Sequence, residues 1–129
     1  MDGLWRFRAT TFIKGTKIYF IMTDKEQIIQ NELDNDGKTI HLYFNPEIGL
    51  YMAFGFSAFF VTHIVNVITA FSEELEMPVA LMRKADVSEL RRSTLRLVHD
   101  YHKYYRLEMK HEMGLDDYVR WATGTKWEK

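Results

Sequence analysis

Hydrophobic and polar positions alternate over much of the first half of the chain, a pattern typical of strands with one face buried. Alternating stretches and short apolar runs rich in aromatic and β-branched residues predict strands at Trp5–Ile13, Lys17–Met22, Thr39–Phe44, Leu50–Phe54 and, further on, Val79–Met82. Turn residues separate them, as in Asn45-Pro46 and Asp36-Gly37. One short helix is predicted at Asp24–Leu33, where Thr23 and Glu26 have the spacing of a capping box.

Helical spacing replaces alternation in the second half. Apolar side chains recur at steps of three and four from Phe56 to Phe71, which predicts a helix that begins at Ser57 as its N-cap and ends before Pro78. Its other side is small and uncharged, so we expect both faces to be covered. A second long helix is predicted from Ser88 to about Met113, with Gly114 as its stop, and a short helical turn at Asp116–Ala122.

Hairpins therefore precede helices, which favours segregated elements over a βαβ alternation. The expected fold is a single α+β domain over residues 1–129, in which two long helices pack on a mainly antiparallel sheet of four or five strands.

The segment from Ile48 to Ser72 raises the question of a membrane span. It carries no charged side chain and exceeds the roughly 20 residues that a bilayer requires. His63 and Asn66 lie near its middle, and its flanks are acidic instead of rich in Lys and Arg. We therefore expect a buried strand and helix, and no membrane. With no cysteine and no signal-peptide pattern at the first residues, the chain is expected to be soluble and cytoplasmic.

Three short motifs resemble functional sites and fail on one required residue each. Glu32-x-Asp34-x-Asp36-Gly37 begins like a calcium loop, but Tyr43 stands where the bidentate Glu is needed. In Gly55-Phe56-Ser57, Phe59 replaces the second glycine of a nucleophile elbow. Glu108-x-x-His111 is half of a di-iron motif without its second copy. We therefore expect no metal and no cofactor, and we expect a binding or interaction function more than an enzymatic one.

The most basic stretch lies within the predicted helix 88–113. Five of its side chains fall at helical steps of three and four and so share one face, namely Arg92, Arg96, His99, Lys103 and Arg106. Tyrosines are interleaved with them, and such a stripe can hold phosphates and stack bases. The alternative is a solvated helix face whose tyrosines pack on the sheet.

Histidines are the available acid and base residues for an enzyme. His63 lies on the aromatic face of the predicted central helix, and His102 lies near His99 in the basic stretch. These two are the pocket candidates. A lone histidine on an apolar face is more often a core residue with a satisfied hydrogen bond than a catalytic one.

The formal charge of -1 gives no overall electrostatic case for nucleic acid, whereas nine Phe, seven Tyr and three Trp are many for a core of this size. The sequence thus predicts an interaction or ligand-binding domain that forms a homo-oligomer, a dimer or larger. We expect the copies to meet through the second face of the central helix or through the exposed tyrosines of helix 88–113. Two alternatives stay open. One is a binder of nucleic acid or a phosphate-bearing ligand at helix 88–113, and the other is a small enzyme with a histidine acid/base in a pocket.

Overall fold

The structure is a computed structural model that describes residues 7–13, 16–22, 24–101 and 103–125. Eight strands and four helices are found in this part of the chain. The strands are β1 Phe7–Ile13, β2 Thr16–Met22, β3 Thr39–Asn45, β4 Leu50–Phe54, β5 Ile68–Ser72, β6 Met77–Met82, β7 Thr94–Tyr101 and β8 Tyr104–Met109. The helices are α1 Asp24–Leu33, α2 Gly55–Thr62, α3 Lys84–Leu90 and α4 Leu115–Gly124.

Six of these strands form one antiparallel sheet in the order β5-β6-β4-β3-β8-β7, while β1 and β2 form a separate hairpin. The α+β class and the antiparallel sheet are therefore confirmed. The sheet has more than the four or five strands that were expected. The prediction of two long helices is wrong, since no helix in the described residues is longer than ten residues.

The sheet has two faces, because alternate side chains of a strand point to opposite sides. One face, here called the helical face, packs against α2 and contributes Ile40, Leu42, Ala53, Ala80, Met82, Leu107 and Met109 to the main core. The other, here called the α1 face, packs against Ile28 of α1 and contributes Tyr43, Phe54, Val79 and Tyr104.

Helix α2 is the central element, and it is much shorter than the helix predicted from the spacing of apolar residues. It ends at Thr62, and the uncharged run continues through a turn into strand β5. Every residue of α2 from Gly55 to Val61 is buried, by the sheet on one side and by Tyr118 and Trp121 of α4 on the other. Phe60 is a core residue, but Ile68, which the helical pattern places in the core, is 71% exposed on β5.

The predicted helix 88–113 is also wrong. Only its first residues are helical, in α3, and a single 3₁₀ turn at Arg91–Ser93 leads into the hairpin of β7 and β8. The short helix predicted at Asp116–Ala122 lies within α4.

The segment from Ile48 to Ser72 is divided among β4, α2 and β5. Within the described ranges, no helix has the length and apolarity needed to cross a bilayer.

Candidate functional site

A pocket lies between helix α3 and the helical face of the sheet. Helix α3 begins with a capping box, in which the Arg83 backbone N–H donates to the Asp86 carboxylate at 2.9 Å. At its other end Leu90 is fully buried and anchors the helix to the core. Because side chains three, four and seven residues apart share a helix face, Lys84, Val87, Ser88 and Arg91 line up along one side of α3.

This pocket, here called the α3 pocket, has an apolar floor and a polar rim. Its volume is about 200 Å³, below the roughly 300–1,000 Å³ of pockets that hold drug-sized ligands, so it fits a single ring or a short chain. Tyr51 and Tyr105, whose ring centroids lie 6.0 Å apart, contribute aromatic surface. The floor and wall are Leu42, Tyr51, Val87, Leu97, Tyr105 and Leu107, and the rim is Lys84, Ser88 and Arg91.

The rim of the α3 pocket is positively charged. A shallow depression lined by Ser88, Arg91 and Arg92 adjoins it and adds a third cation. Among the described residues, no carboxyl group lines either space. Elsewhere in the described residues Arg83, Arg96 and Arg120 each form an ion pair with a nearby acid, whereas Lys84, Arg91 and Arg92 form none. Lys84 and Arg91 line the α3 pocket itself, and Arg92 lines the adjoining depression.

The five basic-stripe residues do not lie on one helix. Arg92 lies in the 3₁₀ turn beside the α3 pocket, on the helical face, whereas Arg106 points to the α1 face and lines a small polar hollow with His41. Arg96 lies on edge strand β7 and is bound to Glu108 at 2.8 Å. His99 is on the same strand, and Lys103 lies in the β7–β8 turn. The helical stripe is wrong, because strands β7 and β8 replace the predicted helix. Their register places Arg96 opposite Glu108, on the same face of the sheet as Arg106, while Arg92 lies apart from both in the 3₁₀ turn. That these residues bind a ligand stays a prediction.

Of the two histidine candidates, only His63 lies within the described residues. His63 is exposed at the end of α2, where its Nδ1 lies 3.0 Å from the Phe59 carbonyl oxygen and its ring packs edge-on against Phe59. His102 lies outside the described residues, so its part in a pocket stays a prediction.

A second polar cluster surrounds Glu32, at the end of α1. The Ser57 N–H and hydroxyl donate to the two carboxyl oxygens of Glu32 at 2.8 and 2.7 Å. The same hydroxyl accepts the His41 N–H of β3 at 2.9 Å. Ser57 is thus not the N-cap of α2, as the sequence suggested, but a residue of its first turn. Gly55 makes room for this contact, since it adopts a φ of 55° and a Cβ there would lie 3.3 Å from Glu32.

Burial raises the pKa of Glu32 to about 8, even though hydrogen bonds from Ser57, Asn35 and the Phe56 backbone favour its ionised form. Ser57 is fully buried, so no substrate reaches its hydroxyl. The cluster joins α1, β3 and the start of α2, and its polar groups are consumed by internal hydrogen bonds. We assign it a structural role.

His41 and Tyr104 belong to the same region and were not expected from the sequence. His41 Nδ1 lies 2.7 Å from the Tyr104 hydroxyl, and the two rings stack. Two residues further along β3, the hydroxyl of the buried Tyr43 accepts a hydrogen bond from the Asn31 side chain of α1 at 2.8 Å. Burial raises the pKa of Tyr43 well above its ordinary value, with the nearby Glu32 carboxyl adding to the effect. Tyr104 falls in the predicted helix 88–113, so no sequence pattern indicated its contact with His41.

The acidic turn that resembles a calcium loop is closed by its own hydrogen bonds. The Asp36 carboxylate accepts the Lys38 N–H and the Thr39 hydroxyl at 2.9 and 3.0 Å. No group of three or more His, Asp or Glu side chains within the described ranges is arranged to hold a metal ion. The α3 pocket is therefore the candidate site. Models of known families, curated proteins and solved structures were compared with this chain, and none matches it.

Proposed function

We propose that this chain is a ligand-binding domain that holds a small organic anion with an apolar body in the α3 pocket. The observation that carries the proposal is the pairing of an apolar floor with two cations at the rim, Lys84 and Arg91, and a third, Arg92, in the adjoining depression. None of the three has an acidic partner among the described residues. An apolar group that enters the pocket loses contact with water, while a phosphate, sulfate or carboxylate at the rim meets Arg91 and Lys84. Arginine is well suited to bind such groups through two hydrogen bonds.

The pocket favours binding over catalysis. Among the described side chains, no histidine and no carboxyl group lines it to serve as an acid or base. Nucleic acid is less well supported than a small anion, because Arg92 and Arg106 face opposite sides of the sheet and Arg96 is paired with Glu108. Self-association and a cytoplasmic location also remain proposals. The absence of cysteine suits the reducing cytoplasm.

Three probes of similar shape and different charge test the proposal by isothermal titration calorimetry. These are phenyl phosphate, benzyl alcohol and benzylamine. At about 0.4 kcal/mol for each non-hydrogen atom, phenyl phosphate is expected to bind with a Kd of about 1 mM or tighter. Benzyl alcohol should bind more weakly and benzylamine weakest, because the rim repels a cation.

Substitutions locate the binding. Arg91→Gln should weaken phenyl phosphate about tenfold, since a charge-assisted hydrogen bond contributes about 1.5–3 kcal/mol, and should leave benzyl alcohol unchanged. Ser88→Trp, on the exposed side of α3, should block the pocket to all three probes. Arg120→Gln on α4 is the matched control and should change nothing. Equal affinity for the three probes, or an Arg91→Gln variant that binds phenyl phosphate like the unsubstituted protein, would contradict the proposal.

A further inference from the structure

Ser88 stands between the cations of the α3 pocket and of the adjoining depression. Lys84 lies four residues before it, and Arg91 and Arg92 lie three and four residues after it. The backbone stays helical through these positions, since Leu90 has φ and ψ of -58° and -35° and Arg91 has -64° and -19°. Residues three and four apart on a helix are neighbours, about 5–6 Å apart at Cβ. The Ser88 hydroxyl is therefore flanked by three positive side chains, and the four residues are here called the Ser88 cluster.

The Ser88 cluster also joins two spaces. Ser88 and Arg91 line both the α3 pocket and the depression that Arg92 completes. All four side chains of the cluster are exposed, and the Ser88 hydroxyl forms no hydrogen bond with another described residue. A polar group placed at this junction reaches the hydroxyl and the cations, while an apolar body attached to it enters the pocket.

The positive charge at this junction exceeds what a single negative charge balances. Lys84, Arg91 and Arg92 form no ion pair with a described acid. A fourth cation stands nearby, since Lys110 Nζ donates to the Arg92 carbonyl oxygen at 3.2 Å. This contact also satisfies a carbonyl at the end of the 3₁₀ turn, where the partial negative charge of a helix end would disfavour an anion. Glu89, the acid nearest to Ser88 in sequence, is exposed and lines neither space.

The common anionic groups of organic ligands differ in charge and in oxygen count. A carboxylate, a sulfate ester and a phosphate diester each carry one negative charge. A phosphate monoester has a second pKa of about 6, so it carries nearly two negative charges at neutral pH and offers three free oxygens. Each added negative charge is attracted by every cation of the cluster, and three oxygens can accept hydrogen bonds from the guanidinium groups and the hydroxyl together.

We propose that the α3 pocket binds a phosphate monoester, with the dianionic phosphate held at the Ser88 cluster and the organic body in the pocket. This assignment rests on the proposed function and narrows the anion to one chemical group. The Ser88 hydroxyl donates to a phosphate oxygen, Arg91 binds from the pocket side and Arg92 from the depression. With about 200 Å³ available, the body of the ester is a single ring or a short chain.

Phenyl phosphate and phenyl sulfate test the assignment by isothermal titration calorimetry of the full chain. The two probes have nearly the same shape and differ by one charge at about pH 7.5. Phenyl phosphate should bind at least fivefold more tightly at that pH. At about pH 5, where the phosphate carries one charge, the preference should fall below twofold, while the affinity for phenyl sulfate stays the same.

Three variants locate the preference, with circular dichroism to confirm that each is folded. Arg92→Gln removes a charge from the depression and should weaken phenyl phosphate at least threefold and phenyl sulfate less, so that the preference shrinks. Ser88→Ala removes the hydroxyl without changing the charge and should weaken both probes by a similar factor. Arg120→Gln, on α4, is the control and should leave both affinities unchanged.

The outcomes separate this assignment from the proposed function. Equal affinity for the two probes at about pH 7.5, a preference that persists at about pH 5, or an Arg92→Gln variant that keeps the full preference would overturn the phosphate monoester and leave the binding of a small anion in place. Binding of neither probe would overturn both proposals.

Discussion

At the scale of single residues, one carboxyl group connects three elements. Glu32 ends α1, binds the backbone and hydroxyl of Ser57 in the first turn of α2, and through that hydroxyl reaches the His41 N–H of β3. Strand β4 ends at Phe54, so Ser57 supplies a partner for a β3 donor where the sheet ladder stops. Sequence spacing could not reveal this contact, because the two residues lie 25 positions apart in different elements.

The raised pKa of Glu32 predicts how stability depends on pH. The folded protein holds the Glu32 proton up to about pH 8, whereas the unfolded chain releases it near 4.5. Between these values the folded state binds more protons, so this group's contribution is full below pH 4.5 and is lost as the pH rises through 8. The loss is on the order of 4 kcal/mol.

Urea unfolding at several pH values checks this. Glu32→Gln cannot ionise, so its free energy of unfolding should fall less between pH 5 and 8 than that of the unsubstituted protein. Glu47→Gln, in the exposed β3–β4 turn, is the control and should follow the unsubstituted protein. Parallel curves for the unsubstituted protein and Glu32→Gln would mean that Glu32 is ionised throughout.

At the scale of elements, prediction succeeded where turn residues mark the boundaries. Helix α1 and strand β4 have the predicted bounds, and β3 is one residue longer. The turn residues Asp36-Gly37 and Asn45-Pro46 separate the elements in this part of the chain. Prediction failed after Gly55, where an apolar run without charges fits a buried helix and a buried strand equally well. Only Asn66 hints at the turn between α2 and β5.

The hairpin of β7 and β8 was missed for a related reason. Its turn contains no Gly, Pro or Asn, and Lys103 instead adopts a φ of 73°, a conformation that glycine takes without strain. The cations recur at three- and four-residue steps by coincidence, while Tyr105, Leu107 and Met109 alternate toward the core as a strand requires. The cations of the site were consequently only partly foreseen. Arg92 was one of the five predicted binding residues, but Lys84 and Arg91 were not among those five.

Lys103→Gly distinguishes a hairpin from a helix by the sign of its effect. In the hairpin, glycine relieves a left-handed conformation and should raise the free energy of unfolding by about 0.5–1 kcal/mol. In the interior of a helix, glycine would instead lower the free energy of unfolding by about 1 kcal/mol. Thermal unfolding measures the change. Lys110→Gly, at an exposed position without positive φ, is the control and should not stabilise the protein.

At the scale of the whole molecule, the sheet separates two environments. The α1 face holds a polar cluster whose groups bond to one another, and the helical face holds the main core and the α3 pocket. Helix α2 is covered on both sides by its own chain, so its second face is not open to a subunit contact as the sequence suggested. Among the described residues, Ile68 at the start of β5 is instead left exposed, and Lys84 and Arg91 at the rim of the α3 pocket have no acidic partner.

The central claim is that the α3 pocket binds a small organic anion, and an NMR titration tests it most directly. Amide resonances of ¹⁵N-labelled protein would be recorded while phenyl phosphate is added to a few millimolar. The account predicts saturable shifts concentrated at residues 84–92 and around Leu97, Tyr105 and Leu107, which surround the pocket. The same titration with benzylamine should leave these resonances in place. Shifts centred on the Glu32 cluster, shifts of equal size with benzylamine, or no saturable shifts at all would contradict the claim.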